Sequence, residues 1–130
     1  MPGKLYYFQL NGRSGAIRCM LDHANFQYED ERFAFPEFGP MKEANPTQFP
    51  LGSAPIWEED GFTMCQSSAI LRALGIRLGY YSEDPMTCWQ IDSILDFLEG
   101  NHMKWASPLL AILFGKEFAD EDGAWHGHWD

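Results

Sequence analysis

Four short stretches of this 130-residue chain carry side chains suited to handling an anion. The first is Lys4-Leu5-Tyr6-Tyr7-Phe8, a strand-like run ending in aromatics. Asn11-Gly12-Arg13-Ser14 follows as a polar loop with one cation. Ala54-Pro55 opens an apolar run, and Gln66-Ser67 opens a helical pattern. A tyrosine hydroxyl can donate one charge-assisted hydrogen bond to a thiolate, worth roughly 1.5–3 kcal/mol. At about 1.4 kcal/mol per unit, that lowers a thiol's pKa by about one to two units. Successive strand side chains point to opposite faces, so only one of Tyr6 and Tyr7 can serve a given site. Ser67 stands where free N–H groups and the helix dipole favour a negative charge. A serine there also serves simply to cap its helix.

The elements that position these residues are legible in outline. Residues 4–8 form a strand. Ser14 caps a helix running to about Asn25, with Ile17, Met20, Leu21 and Ala24 on one apolar face. Residues 26–33 alternate acids with aromatics and form a second, partly exposed strand. Residues 34–51 hold Pro36, Pro40, Pro46 and Pro50 and are expected to be loop with at most a helical turn. Strands over 54–58 and 62–65 make a hairpin around Glu59-Asp60-Gly61. A helix from Ser67 carries Ile70, Leu71, Leu74 and Leu78, tolerates Gly75 and stops at Gly79. The order βαβ, loop, ββα predicts an α/β domain with a mixed four-stranded sheet and helices on both faces. Asp84-Pro85 starts a further helix over 85–99, with Cys88, Ile91, Leu95 and Leu98 along one side and Gly100-Asn101 as its stop. A second, very apolar helix is expected over 108–118, then a loose acidic tail at Asp120-Glu121-Asp122-Gly123. The domain boundaries expected are 1–79, a linker at 80–84, and a short helical segment at 85–130.

Composition narrows the function. A formal charge of −10 with nine scattered basic residues argues against nucleic acid, which needs clustered Lys and Arg. No stretch has the length and apolarity of a membrane span. Met1-Pro2-Gly3-Lys4 is unlike a signal peptide, so a cytoplasmic address is expected. Cys19, Cys65 and Cys88 form no C-x-x-C pair, which sets aside dithiol exchange and fits free thiols in a reducing compartment. Cys19, flanked by Met20 and Leu21, is expected to pack in the core. His126 and His128 are only two ligands, so no metal is expected.

Residues 4–99 resemble the N-terminal half of a cytosolic glutathione S-transferase of the Tyr-type, alpha, pi and sigma kind. The resemblance rests on Gln66-Ser67-x-Ala69-Ile70-Leu71, on the x-Pro strand start at Pro55, and on the N-terminal Tyr-Phe pair. It implies a thioredoxin-like domain with glutathione as co-substrate. It selects Tyr7, followed by Phe8, as the residue that activates the glutathione thiol, with Arg13 assisting beside the sulfur. It makes the Ala54–Pro55 bond cis, the backbone around Ser53, Ala54 and Pro55 pairing with the cysteinyl part of glutathione. It places the γ-glutamyl carboxylate at Gln66 and Ser67, and the glycine carboxylate near Lys42. Phe38 stands where the family often has a Trp. Asp92 matches an acid that reaches the glutathione amine of a neighbouring subunit, which implies a dimer.

The resemblance breaks after the linker, where only about 45 residues stand in for a longer helical domain. The function expected is activation of the glutathione thiol for attack on a small electrophile. The rival is a non-catalytic module serving dimerisation or a larger protein assembly through the helical segment. A glutathione-using isomerase or prostaglandin-type synthase shares the same half-site. The apolar 109–114 run suggests an interface.

Overall fold

A computed structural model of the chain describes residues 2–113, with residue 103 and residues 105–113 as backbone alone. The chain divides into two units, Met1–Glu83 and Asp84–Asp130.

In the first unit, strands β1 (Gly3–Phe8), β2 (Tyr28–Phe33), β3 (Ile56–Glu59) and β4 (Phe62–Cys65) form one sheet in the order β2-β1-β3-β4. β1 and β2 are parallel, and the other pairings are antiparallel. Helices α1 (Gly15–His23) and α3 (Ser67–Leu78) cover one face. There Leu5 and Trp57 of the sheet meet Ile17, Leu21, Ile70 and Leu74 in the core. Gly3 is required at the start of β1, because a Cβ there would stand 2.0 Å from Cζ2 of the Trp57 indole. The opposite face carries Phe8, whose ring stacks on Phe35 at 4.3 Å and meets Phe38 edge-on at 5.2 Å. This is the mixed sheet with helices on both faces that the element order predicted.

Asp60-Gly61 turns the β3–β4 hairpin with both residues at positive φ, +46° and +82°, as a two-residue hairpin demands. Gly79 ends α3 in the left-handed conformation at φ +83°.

Three local expectations are corrected. Residues 34–51 hold a ten-residue helix, α2 (Phe35–Ala44), rather than a loop. Pro36 lies in its first turn, where no N–H is needed, and Pro40 removes a single intrahelical bond. Glu37 closes the turn, its carboxylate accepting the Ala34 N–H at 2.6 Å. Ser14 precedes α1 but makes no capping bond, and its buried hydroxyl has no hydrogen-bond partner. Cys19 is exposed. It stands two residues past buried Ile17, about 200° round the helix from it at 3.6 residues per turn.

The second unit opens with α4 (Pro85–Leu113), 29 residues long. Asp84 caps it, accepting the Thr87 N–H and hydroxyl at 2.8 Å each. Those bonds hold the Asp84 carboxyl below its ordinary range. The expected stop at Gly100-Asn101 and the separate helix from Pro108 are not found, since α4 runs through both. A helix-interior glycine costs only about 1 kcal/mol, which a long helix absorbs. Cys88, Ile91 and Leu95 are half-buried as one side of α4, but Leu98 is exposed with Met86, Trp89, Ile94 and Phe97. The end of the expected 108–118 helix, the acidic tail and the two C-terminal histidines lie outside the described residues.

Candidate functional site

Strand register alone gathers most of the chemistry at one end of the sheet. Tyr6 pairs with Ile56 across β1 and β3, so Tyr7 and Phe8 run out beside Pro55 and Ala54. Ile56 pairs with Cys65 across β3 and β4, so Gln66 and Ser67 leave the sheet at that same end. Neighbouring strands are about 4.8 Å apart, which makes this end about 10 Å wide from β1 to β4.

Tyr7 lies on the α1 side of the sheet and is 5% exposed. Its hydroxyl oxygen accepts the backbone N–H of Arg13 at 3.1 Å. That bond leaves the hydroxyl proton to be donated elsewhere. Gly12 carries φ +37°, and a Cβ there would sit 2.6 Å from the same hydroxyl. The turn Gly12–Ser14 therefore closes over Tyr7 with backbone alone. Tyr6 points to the opposite face. Burial first, and the Glu58 carboxylate next, push its hydroxyl above the ordinary value. A phenol beside a carboxylate is badly placed to favour a second anion.

The Ala54–Pro55 peptide bond is cis. Pro55 is buried, while Ser53 and Ala54 are half-buried. Lys42 sits in the last turn of α2, not in a loop. Its ammonium donates to the Gly52 carbonyl at 3.3 Å and lies 5.1 Å over the Phe38 ring. This ties the cation to the segment that delivers Ser53 and Ala54. Phe38 is an aromatic wall, meeting Phe8, Phe33 and Phe49.

Gln66 is exposed and holds φ +73°, a strained value for a residue with a side chain. It occupies the N-cap position of α3 without a side-chain cap, and the first intrahelical bond runs from the Ile70 N–H to the Gln66 carbonyl. Ser67 is the first helical residue, so the plain capping role weighed for it is not the one observed. The N–H groups of the first α3 turn are thereby left for an acceptor from outside the helix. Asp92 lies half-buried on α4, in the second unit.

One buried residue of this region has no role assigned from the sequence, where it is simply carried by the helix after the Asn11–Ser14 loop. Arg18 is 4% exposed and donates to the carbonyls of Phe8 and Leu10. The only sequence signal was an arginine between Ile17 and Leu21 on the buried side of α1. Among the described residues, no group of three or more His, Cys, Asp or Glu could hold a metal, and no helix is long and apolar enough to cross a membrane. A shallow depression lined by Pro2, Lys4, Glu58 and Asp60 lies at the other end of the sheet.

A family model described as "Glutathione S-transferase, N-terminal domain" matches residues 1–74. Glutathione S-transferase 1 of Ascaris suum is 32% identical over 119 residues, 92% of this chain and 55% of that protein. The hematopoietic prostaglandin D synthase of Homo sapiens is 35% identical over 100 residues, 76% of this chain and 48% of its own length. Among solved structures, the glutathione S-transferase from Ascaris lumbricoides superposes with a TM-score of 0.72 at 31% identity, covering 94% of this chain and 57% of that one. The chain spans about half the length of the curated relatives it matches.

Proposed function

Because the chain belongs to the glutathione S-transferase family, we propose that it binds glutathione at this end of the sheet and activates its thiol in the Tyr-type manner. The observation that carries the reading is the Tyr7 hydroxyl, its oxygen engaged by the Arg13 amide and its proton free to donate. A hydrogen bond from that hydroxyl to sulfur favours the thiolate over the thiol. The rest of the tripeptide spans the sheet end. An extended three-residue ligand reaches about 10 Å, the same as the β1-to-β4 width. Its γ-glutamyl carboxylate goes to the first turn of α3 at Gln66 and Ser67. The backbone of Ser53 and Ala54, held by Pro55, pairs with the cysteinyl part. Lys42 takes the glycine carboxylate, and Phe8 and Phe38 wall the site. Arg13 adds positive charge near the sulfur.

The thiolate attacks a small electrophile, which a fuller helical domain or a partner copy helps to enclose. The same half-site also suits glutathione-dependent isomerisation, a reading that the prostaglandin D synthase relative supports. Asp92 extends to the glutathione of a partner copy in a dimer. A reducing, cytoplasmic setting goes with this reading, since it keeps the three free thiols and glutathione reduced. The domain division that goes with this reading is 1–79, 80–84 and 85–130.

Exposed Met86, Trp89, Ile94, Phe97 and Leu98 on α4 favour a second reading, an assembly module without turnover. Retention on immobilised glutathione, with release by free glutathione, separates the two. A retained protein with conjugating activity supports the enzyme. One that flows through supports the module.

A further inference from the structure

Arg18 brings a full positive charge into the buried part of the first unit. Its guanidinium donates to the carbonyl of Phe8, the last residue of β1, and to that of Leu10 in the loop beyond. Its charged carbon lies 5.8 Å over the Tyr7 ring. Asp30 on β2 accepts from Arg18 at 3.2 Å, but Asp30 also pairs with Arg32 at 2.7 Å. Two guanidinium groups thus share the Asp30 carboxylate. Tyr28 of β2 donates to Asp22, one turn further along α1, and the cluster of Arg18, Arg32, Asp30 and Asp22 holds two formal charges of each sign.

We propose that Arg18 is a positioning residue for the thiol chemistry assigned to Tyr7. Its fork ties down the strand end and loop on either side of the Tyr7 hydroxyl, and its charge stabilises the negative charge shared between that hydroxyl and the bound sulfur. This rests on the role proposed above for Tyr7. A cation over an aromatic ring is attracted to its face. The same positive charge favours a negative charge on a sulfur bound beside the Tyr7 hydroxyl. Arginine suits the place because its planar fork reaches two carbonyls and a carboxylate at once and stays charged when buried.

The test follows the thiolate absorbance of bound glutathione across pH in the unmodified chain and in Arg18→Met, Arg18→Lys and Asp30→Asn. Arg18→Met is expected to raise the bound thiol's pKa by about one unit while glutathione is still retained. Arg18→Lys, which keeps the charge but not the fork, should recover at least half of that shift. Asp30→Asn removes the counter-charge and should lower the bound thiol's pKa. An unshifted Arg18→Met, or an Arg18→Lys shifted as far as Arg18→Met, overturns the proposal. If Arg18→Met does not fold, Asp30→Asn decides, since an unchanged or raised thiol pKa there overturns it as well. Absence of thiolate near neutrality in the unmodified chain removes the Tyr7 reading and this one together. A thiolate that ignores Arg18→Met removes this one alone.

Discussion

The backbone N–H of Arg13 points at the hydroxyl oxygen of Tyr7, 3.1 Å away. The contact joins the loop after β1 to a side chain of β1 itself, and it sets which way the hydroxyl can donate. With one lone pair engaged by the amide, the hydroxyl proton is available to another acceptor. Gly12 makes the contact possible, because any larger residue would put its Cβ into the hydroxyl.

Gly12→Ala is therefore expected to displace Tyr7. Its Cβ would meet the hydroxyl at 2.6 Å and Leu10 Cδ1 at 2.7 Å, at a φ of +37°. The strain costs about 1–3 kcal/mol, read as a lowered denaturation midpoint. Glutathione-dependent activity should fall at least tenfold, since tenfold corresponds to about 1.4 kcal/mol of misplaced transition-state stabilisation. A Gly12→Ala protein with full activity and unchanged stability would refute the close approach.

Acid should weaken the first unit through Glu59. Burial pushes its carboxyl up, but hydrogen bonds from Arg77 at 2.8 Å and from the Trp57 indole at 3.1 Å prevail and hold it below the ordinary 4.5. A carboxyl with a depressed folded-state value stabilises the fold above its unfolded value. That stability is present above about pH 4.5 and is lost as pH falls through the lower folded-state value. Glu59→Gln should flatten the acid limb of a stability-versus-pH curve and lower stability near neutrality. Parallel acid limbs in the two proteins would exclude the assignment.

The exposed side chains of α4 bear on oligomeric state. Met86, Trp89, Ile94, Phe97 and Leu98 are all more than half exposed, with Phe97 at 68%. Apolar surface of that extent on one helix favours association. Sedimentation at micromolar concentration is expected to show a species of at least twice the chain mass. A soluble monomer with full conjugating activity would rule out both the interface and the cross-subunit role of Asp92.

The parts of the fold that followed from local chemistry were legible in the residues. Asp60-Gly61 marks the hairpin, Gly79 the end of α3, and the spacing of Ile17, Met20 and Leu21 the inner face of α1. The same periodicity, applied strictly, turns Cys19 outward. α2 was hidden because four prolines dominate its surroundings, while its formation depends on Phe35 and Phe38 reaching Phe8, a contact made by the folded sheet. Gly100 was read as a stop, yet helix cooperativity carries α4 past it. Within the site, Tyr7, Pro55, Gln66 and Ser67 stood out by type and spacing. Arg18 is visible on the first helix but its role is not, because its partners Phe8, Leu10 and Asp30 offer two carbonyl oxygens and a neighbouring strand's carboxylate, and only the fold brings them together.

The pH titration of bound glutathione, followed by thiolate absorbance in the unmodified chain and in Tyr7→Phe, tests the assigned chemistry most directly. A free thiol ionises near pH 8.5, and one charge-assisted hydrogen bond lowers that by about one to two units. The bound thiol of the unmodified protein should therefore titrate at about pH 6.5–7.5, with a substantial thiolate fraction near neutrality. Tyr7→Phe should keep glutathione bound and return the titration upward by about one to two units. Superimposable titrations in the two proteins would contradict thiol activation by Tyr7.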